Sequence, residues 1–167
     1  MTERQTYHLA ELNVGRLVAP TDDPRVAEFM ENLDRINGLG KRMPGFVWMM
    51  EGSGEPGTGN TENSIGDDPQ FVANLTVWED AAALEKFVWG TVHKQFYDKR
   101  HDWFDILSDQ HFVMWWVPVG HRPTLDEAMK RLEHLREHGP DETAFGWAQL
   151  DQAGMWRDKR CTHVAAE

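Results

Sequence analysis

A strand, a long helix and a second strand are predicted for residues 71–116, and this unit constrains the fold more than any other part of the chain. The first strand, at 71–78, is rich in β-branched and aromatic residues and contains neither Gly nor Pro. Asp80 offers a carboxylate to the free N–H groups of a helix start, so one helix is predicted from there to about Leu107. A second strand follows at 111–116.

The second half of this predicted helix places ionisable side chains among large apolar ones. At about 100° per residue, one face contains Trp89, Val92, Phe96, Trp103, Phe104 and Leu107. His93 and Arg100 fall on the same face. A buried imidazole or guanidinium needs a carboxylate, a carbonyl, a ligand or water as its partner. Two interpretations stay open: core residues that the chain itself satisfies, or residues that line a ligand cavity between the helix and the sheet.

The length and composition indicate one globular domain. With 167 residues the chain can bury a hydrophobic core, and we predict a single domain over 1–150 with a loosely held tail at 151–167. Eight tryptophans favour either an interface or a pocket for a flat ligand. The net charge of −11 argues against nucleic acid or an anionic membrane as a partner.

Cysteine usage and the first residues suggest a location and exclude some sites. The single cysteine, Cys161, allows no intramolecular disulfide and no multi-cysteine metal site. Residues 1–5 lack the apolar segment of a signal peptide, and no apolar run approaches about 18 residues. We therefore expect a cytoplasmic protein.

Two short motifs have structural explanations that we prefer. Residues 52–57 are a literal GxGxxG, but no helix follows them, so a long hairpin loop that could act as a lid is favoured over a nucleotide site. His134 and His138 are spaced to chelate a metal on a helix, but a solvated helix face explains them as well. We predict no metal site.

The predicted elements follow the order β-α-β-β-α-β, with a helix appended. A strand is predicted at 7–14, a helix from about 26 that stops around the glycines at 38–40, a strand at 46–50, a capped helix after Thr124 and a short strand at 144–147. This order is typical of the α+β class and of the ferredoxin-like fold, an antiparallel sheet with helices on one face. The other face, which is apolar, should be buried against another chain, so a homodimer is predicted.

Several runs of the sequence resemble the DUF3291 family, whose name records that it has no assigned function. The runs are HLAELNVGRL (8–17), PGFVW (44–48), NLTVWE (74–79), WF (103–104), WWVPVGHRPT (115–124) and RLEHLR (131–136), and the resemblance covers roughly residues 7–147. It implies the dimeric α/β-barrel superfamily of antibiotic biosynthesis monooxygenase-like proteins. That superfamily includes cofactor-free quinol and anthrone monooxygenases and haem-degrading monooxygenases.

The haem-degrading group builds its site from an Asn on the first strand and a Trp and a His on the second long helix. Asn13 matches the Asn. Phe87 stands where the Trp is expected and Tyr97 where the ligating His is expected, while His93 lies one turn earlier.

Two functions follow as hypotheses. In the first, a homodimeric enzyme without a cofactor acts on a flat aromatic or polyketide-like substrate, with His93 as general base, Arg100 stabilising an oxyanion and Asn13 orienting the substrate. The remaining predicted substrate-binding residues are Glu11, Asn74, Trp89, Tyr97, Trp103 and Trp115. In the second, the protein is a non-catalytic dimeric carrier of haem or another planar ligand, with His93 or Tyr97 as axial ligand.

Overall fold

The computed structural model describes residues 7–52, 61 and 65–150. Its strands are β1 (Tyr7–Arg16), β2 (Phe46–Met49), β3 (Phe71–Trp78) and β4 (Phe112–Pro118). Its helices are α1 (Ala27–Arg42), α2 (Ala81–Gly90), α3 (His93–Asp98), α4 (Arg100–Trp103) and α5 (Leu125–His138), with short 3₁₀ turns at Pro24–Val26 and Trp147–Gln149. The predicted tail, and the predicted loop at 53–60 and 62–64, lie outside the described residues.

The strands form one open antiparallel sheet in the order β2-β3-β1-β4. In the pairing of β1 with β3, Glu11 lies opposite Thr76 and Asn13 opposite Asn74. Directly paired residues point to the same face of a sheet, so these four polar side chains share one face. The predicted α+β class is confirmed.

Helices lie on both faces of this sheet, which corrects the prediction that one face is bare. The first face packs against α1 and α2 through Leu9, Trp78, Met114, Leu84, Phe87, Ile36 and Leu39. The second face packs against α5 through Ala10, Leu12, Leu75, Val77, Val113, Trp115, Ala128, Leu132 and Leu135. Because α5 buries the face from which a homodimer was inferred, the homodimer stays a prediction without that argument.

The helix predicted from Asp80 to about Leu107 is divided into α2, α3 and α4. Its start is as predicted, because the Asp80 carboxylate accepts a hydrogen bond from the Ala83 N–H at 2.8 Å. The first break comes at Thr91, whose backbone is extended with φ −126° and ψ −175°. The Thr91 hydroxyl donates to the Phe87 carbonyl at 2.6 Å and accepts from the His93 N–H at 3.2 Å. Thr91 thereby ends one helix and begins the next.

Helix α1 continues past the glycines at which it was predicted to stop. Gly40 is buried inside the helix, and a Cβ there would lie 3.2 Å from Cζ of Phe87. The missing side chain lets the Phe87 ring approach the helix, and this packing outweighs the low helix propensity of glycine. The strand predicted at 144–147 is reduced to one bridge between Phe145 and Met114. No helix in the described part of the chain is long and apolar enough to cross a bilayer.

Candidate functional site

A cavity of about 300 Å³ lies between the first face of the sheet, α1, and the α3–α4 segment. Its floor is formed by Asn13, Val14 and Gly15 of β1 and by Val72, Ala73 and Asn74 of β3. Its walls include Phe29, Asn32, Leu33, Ile36 and Asn37 of α1, and Phe87, His93, Phe96, Tyr97, Arg100, His101, Trp103, Phe104 and His111. The cavity is thus lined by segments that lie far apart in the sequence.

Aromatic rings give the cavity flat walls. The rings of Phe96 and Trp103 are stacked, with centroids 5.7 Å apart and planes 27° apart. Phe29 meets Phe104 edge to face, with centroids 5.0 Å apart. Ring surfaces held in this way favour a flat, apolar ligand body.

Two carboxamides lie side by side on the floor. Asn13 and Asn74 are directly paired residues of β1 and β3, and both line the cavity. Asn13 is exposed although it lies in a strand with strands on both sides, because the cavity opens above it. A carboxamide carries both a donor and an acceptor, so this pair gives the floor its polar character.

His93 is held in its neutral form beside the aromatic walls. Its ring packs on Phe87, with centroids 4.8 Å apart. Nδ1 lies 3.2 Å from the Val88 carbonyl, which can only accept, so we assign the proton to Nδ1 and the lone pair to Nε2. Burial lowers the pKa of His93 below its ordinary 6.5, against a smaller raising effect of the Val88 hydrogen bond. The ring is therefore an unprotonated base at neutral pH.

Arg100 brings a positive charge to the cavity. Its Nη1 donates to the Tyr97 carbonyl at 2.9 Å, and its Cζ lies 4.1 Å from the centre of the Tyr97 ring. Among the residues that the structure describes, no carboxylate pairs with this guanidinium within 4.0 Å. A carbonyl and a ring stabilise the cation without neutralising it.

Six of the nine predicted site residues line this cavity: Asn13, Asn74, His93, Tyr97, Arg100 and Trp103. Trp115 lies on the opposite face of the sheet, fully buried under α5, where its Nε1 donates to Glu127 at 3.3 Å. Trp89 precedes the break at Thr91 and packs edge to face with Tyr97 and Trp147 outside the cavity lining. The prediction that these two indoles form walls of the site is therefore not met.

Glu11 lies on the cavity-bearing face of the sheet but inside the core, with 6% of its surface exposed. Its Oε1 accepts from the Thr76 hydroxyl at 2.8 Å, which accepts from Trp78 Nε1 at 2.9 Å. Its Oε2 is buried without a hydrogen-bond partner in the described part of the chain. Burial raises the pKa of Glu11 to about 8, against the lowering effect of Thr76. Glu11 is thus a protonated core residue at neutral pH, not a residue of the cavity wall.

Sequence reasoning missed the contribution of α1 and of the segment before β4. Asn32 and Asn37 line the cavity from α1, and their positions beside the apolar Leu33 and Ile36 are the signal that could have identified them. His111, which immediately precedes β4, also lines the cavity. The pKa of His111 is lowered by burial and by the positive charges of Arg100 and Arg136, against a backbone hydrogen bond at Asp109. Arg100 and His111 are therefore electrostatically coupled.

The sequence model of the DUF3291 family, described as a domain of unknown function, matches residues 8–161. The chain belongs to this family. The resemblance seen in the sequence is thereby confirmed. No curated protein matches this DUF3291 chain.

Two solved structures resemble the DUF3291 chain. One is the crystal structure of PA3566 from Pseudomonas aeruginosa, 14% identical, with a TM-score of 0.46, over 70% of this chain and 97% of that one. The other is NE2512, a protein of unknown function from Nitrosomonas europaea, 10% identical, with a TM-score of 0.44, over 72% of this chain and 96% of that one. Neither protein's name states an activity.

Proposed function

We propose that this protein is an enzyme that binds a flat aromatic or polyketide-like molecule in the cavity and removes a proton from it with His93, without a cofactor. The observation that carries the proposal is the cavity itself. It combines a neutral imidazole, a guanidinium that has no counter-ion among the described residues, and two carboxamides with aromatic walls. Its volume of about 300 Å³ suits a small fused-ring molecule.

In the proposed reaction, His93 removes the proton and other residues of the cavity stabilise the anion that forms. His93 Nε2 accepts a proton from a hydroxyl or an acidic C–H of the substrate. The electron pair left behind forms a phenolate or enolate, which the amide N–H group of Asn13 and the charge of Arg100 stabilise. Such an electron-rich anion can react directly with O₂: a CH₂ group becomes a carbonyl and the second oxygen atom leaves as water. The superfamily that the sequence resembles suggests this outcome.

We also propose a ferredoxin-like arrangement for the chain. The order β2-β3-β1-β4 supports it, because one helix links β1 to β2 and a helical segment links β3 to β4. A dimeric barrel would bring a second sheet to the face that α5 covers. We therefore propose that the site is complete within one chain.

Replacing His93 tests the proposed chemistry. With anthrone, the keto form of 9-hydroxyanthracene, which carries an acidic CH₂ group, the wild-type protein should consume O₂ or exchange the CH₂ protons of anthrone for solvent deuterium. His93→Gln should lower either rate at least about 100-fold, because a positioned base contributes that much. His138→Gln, which changes an exposed imidazole on α5, should leave the rates unchanged. Equal rates in wild type and His93→Gln would reject His93 as the base.

A second candidate function, haem binding without turnover, is favoured by the geometry of His93. An imidazole whose Nδ1 donates to a backbone carbonyl presents Nε2 as a metal ligand, which is the usual state of a ligating histidine. Haem added to the purified protein would then give a Soret band that His93→Ala removes. A cavity of about 300 Å³ is at the low end for ligand pockets, so we prefer the smaller substrate.

A further inference from the structure

The charge of the cavity wall indicates the charge of its ligand. Arg100 is half-buried, and its described contacts are a carbonyl and a ring, neither of which carries a negative charge. Acidic residues outnumber basic ones in this chain, 28 to 17, and yet Arg100 has no counter-ion among the described residues. Partial burial of an uncompensated cation is unfavourable, and an anionic ligand would offset that cost.

The acidic residue among the described residues of the lining, Asp105, is already paired with another arginine. Asp105 accepts from Arg16 Nη1 at 2.6 Å, and Arg16 Nε also donates to Asp68 at 2.7 Å. The carboxylate of Asp105 thus pairs with Arg16 at the end of β1. Within the described residues, Arg100 keeps its remaining N–H donors available to a ligand.

We infer that the ligand is a planar aromatic or enolic acid whose carboxylate binds Arg100 before any proton is removed. A guanidinium binds a carboxylate through two parallel hydrogen bonds, and its planar shape suits a flat acid. A phosphate, with nearly two charges, would require further cations, whereas His93 is neutral. The inference rests on the proposed function and deepens it, because it names the substrate class and leaves the Asn13 amide for the new oxyanion.

Two probes of nearly equal shape test the charge. The probes are 3-hydroxy-2-naphthoate and its neutral amide, and binding is followed by tryptophan fluorescence or calorimetry. The wild type should bind the carboxylate at least about tenfold more tightly, since a charged hydrogen bond contributes more than a neutral one. Arg100→Gln should remove this preference while keeping the wild-type circular dichroism spectrum.

Arg136→Gln is the matched control. Arg136 also lowers the pKa of His111, but its Nε donates to the Gln110 carbonyl and it does not line the cavity. This variant should keep the full preference for the carboxylate. Loss of the preference in both variants would show a general charge effect and would overturn the inference.

The imidazole of His111 provides a second readout by NMR titration. Since the charge of Arg100 lowers the pKa of His111, a carboxylate bound at Arg100 should raise that pKa and the amide should not. In Arg100→Gln the carboxylate should have no such effect, while in Arg136→Gln it should still raise the pKa.

The possible outcomes separate this inference from the proposed function. Preference for the carboxylate without any His93-dependent proton exchange would support the acidic ligand and reject the catalysis. Equal binding of the two probes together with His93-dependent proton exchange would reject the acidic ligand and support the catalysis. Binding of neither probe, or a preference that survives in Arg100→Gln, overturns the inference.

Discussion

At the scale of single residues, the environment of His93 decides what the cavity can do. A histidine in water is about half protonated near its ordinary pKa of 6.5, and burial beside Phe87 lowers that value. The Val88 carbonyl fixes the proton on Nδ1. The imidazole is therefore already a base at neutral pH, and its base form persists into mildly acidic solution.

The pH dependence of kcat/KM should report this lowered pKa. Protonation removes the base, so the rate should be constant near neutral pH and should fall about tenfold per pH unit once the pH drops below the pKa of His93. Because that pKa is lowered, the fall should begin below pH 6.5. The substrate should have no group that ionises between about pH 4 and pH 8, so that the profile reports the enzyme alone. A profile that falls already from about pH 7.5 downward would contradict a neutral, buried base.

At the scale of elements, a glycine fixes how α1, β2 and α2 meet. Gly45 precedes β2 with φ +86°, and its carbonyl accepts a hydrogen bond from the Glu79 N–H at 2.7 Å. A Cβ on Gly45 would lie 2.4 Å from the Cβ of Ala83 in the first turn of α2. Both the backbone conformation and the close approach therefore require glycine.

Gly45→Ala should destabilise the protein by about 2 to 4 kcal/mol, the sum of an unfavourable backbone conformation and a steric overlap. Gly120→Ala separates the two effects, because Gly120 has φ +90° and a Cβ added there would meet no atom within 4 Å. That control should lose only about 1 kcal/mol. Urea unfolding of both variants measures the difference. Equal losses would show that α2 moves away from Gly45 without cost.

The elements also show what the sequence could and could not predict. The predicted bounds of β3 agree with the structure, because its β-branched and aromatic residues favour a strand whatever the rest of the chain does. The break at Thr91 was missed because a single helix was extrapolated from one apolar face, and the position of Trp89 was wrong with it. The sequence does not predict which face of the sheet Trp115 lies on. Alternation along β4 separates its two faces but does not show which helix covers each of them. Asn13, His93 and Arg100 meet through the pairing of distant segments, which no local pattern contains.

At the scale of the whole molecule, the buried carboxyl of Glu11 links stability to pH. Its pKa is about 8 in the folded protein and 4.5 ordinarily. Between these values the folded protein holds a proton that the unfolded chain has released. The free energy of unfolding therefore falls as the pH rises through this range.

Glu11→Gln should remove this dependence. The wild type loses stability from pH 5 to pH 8, whereas the variant, which has no carboxyl at this position, does not. The free energy of unfolding of the variant minus that of the wild type should therefore rise by about 2 to 4 kcal/mol over this range. Denaturant unfolding at both pH values measures the change. Glu133→Gln, at an exposed position on α5, should show no such trend. A stability difference that does not vary with pH would mean that Glu11 is ionised in the core.

Helix α5 gives the molecule a property that the order of its elements does not suggest. Ala10, Leu12 and Trp115 have no exposed surface in a single copy, because α5 covers them. Helix α5 thus covers the face of the sheet that was predicted to be buried against a second copy of the chain. Because one copy already buries this face, the proposed proton removal does not require a dimer, and a monomer and a dimer should be equally active.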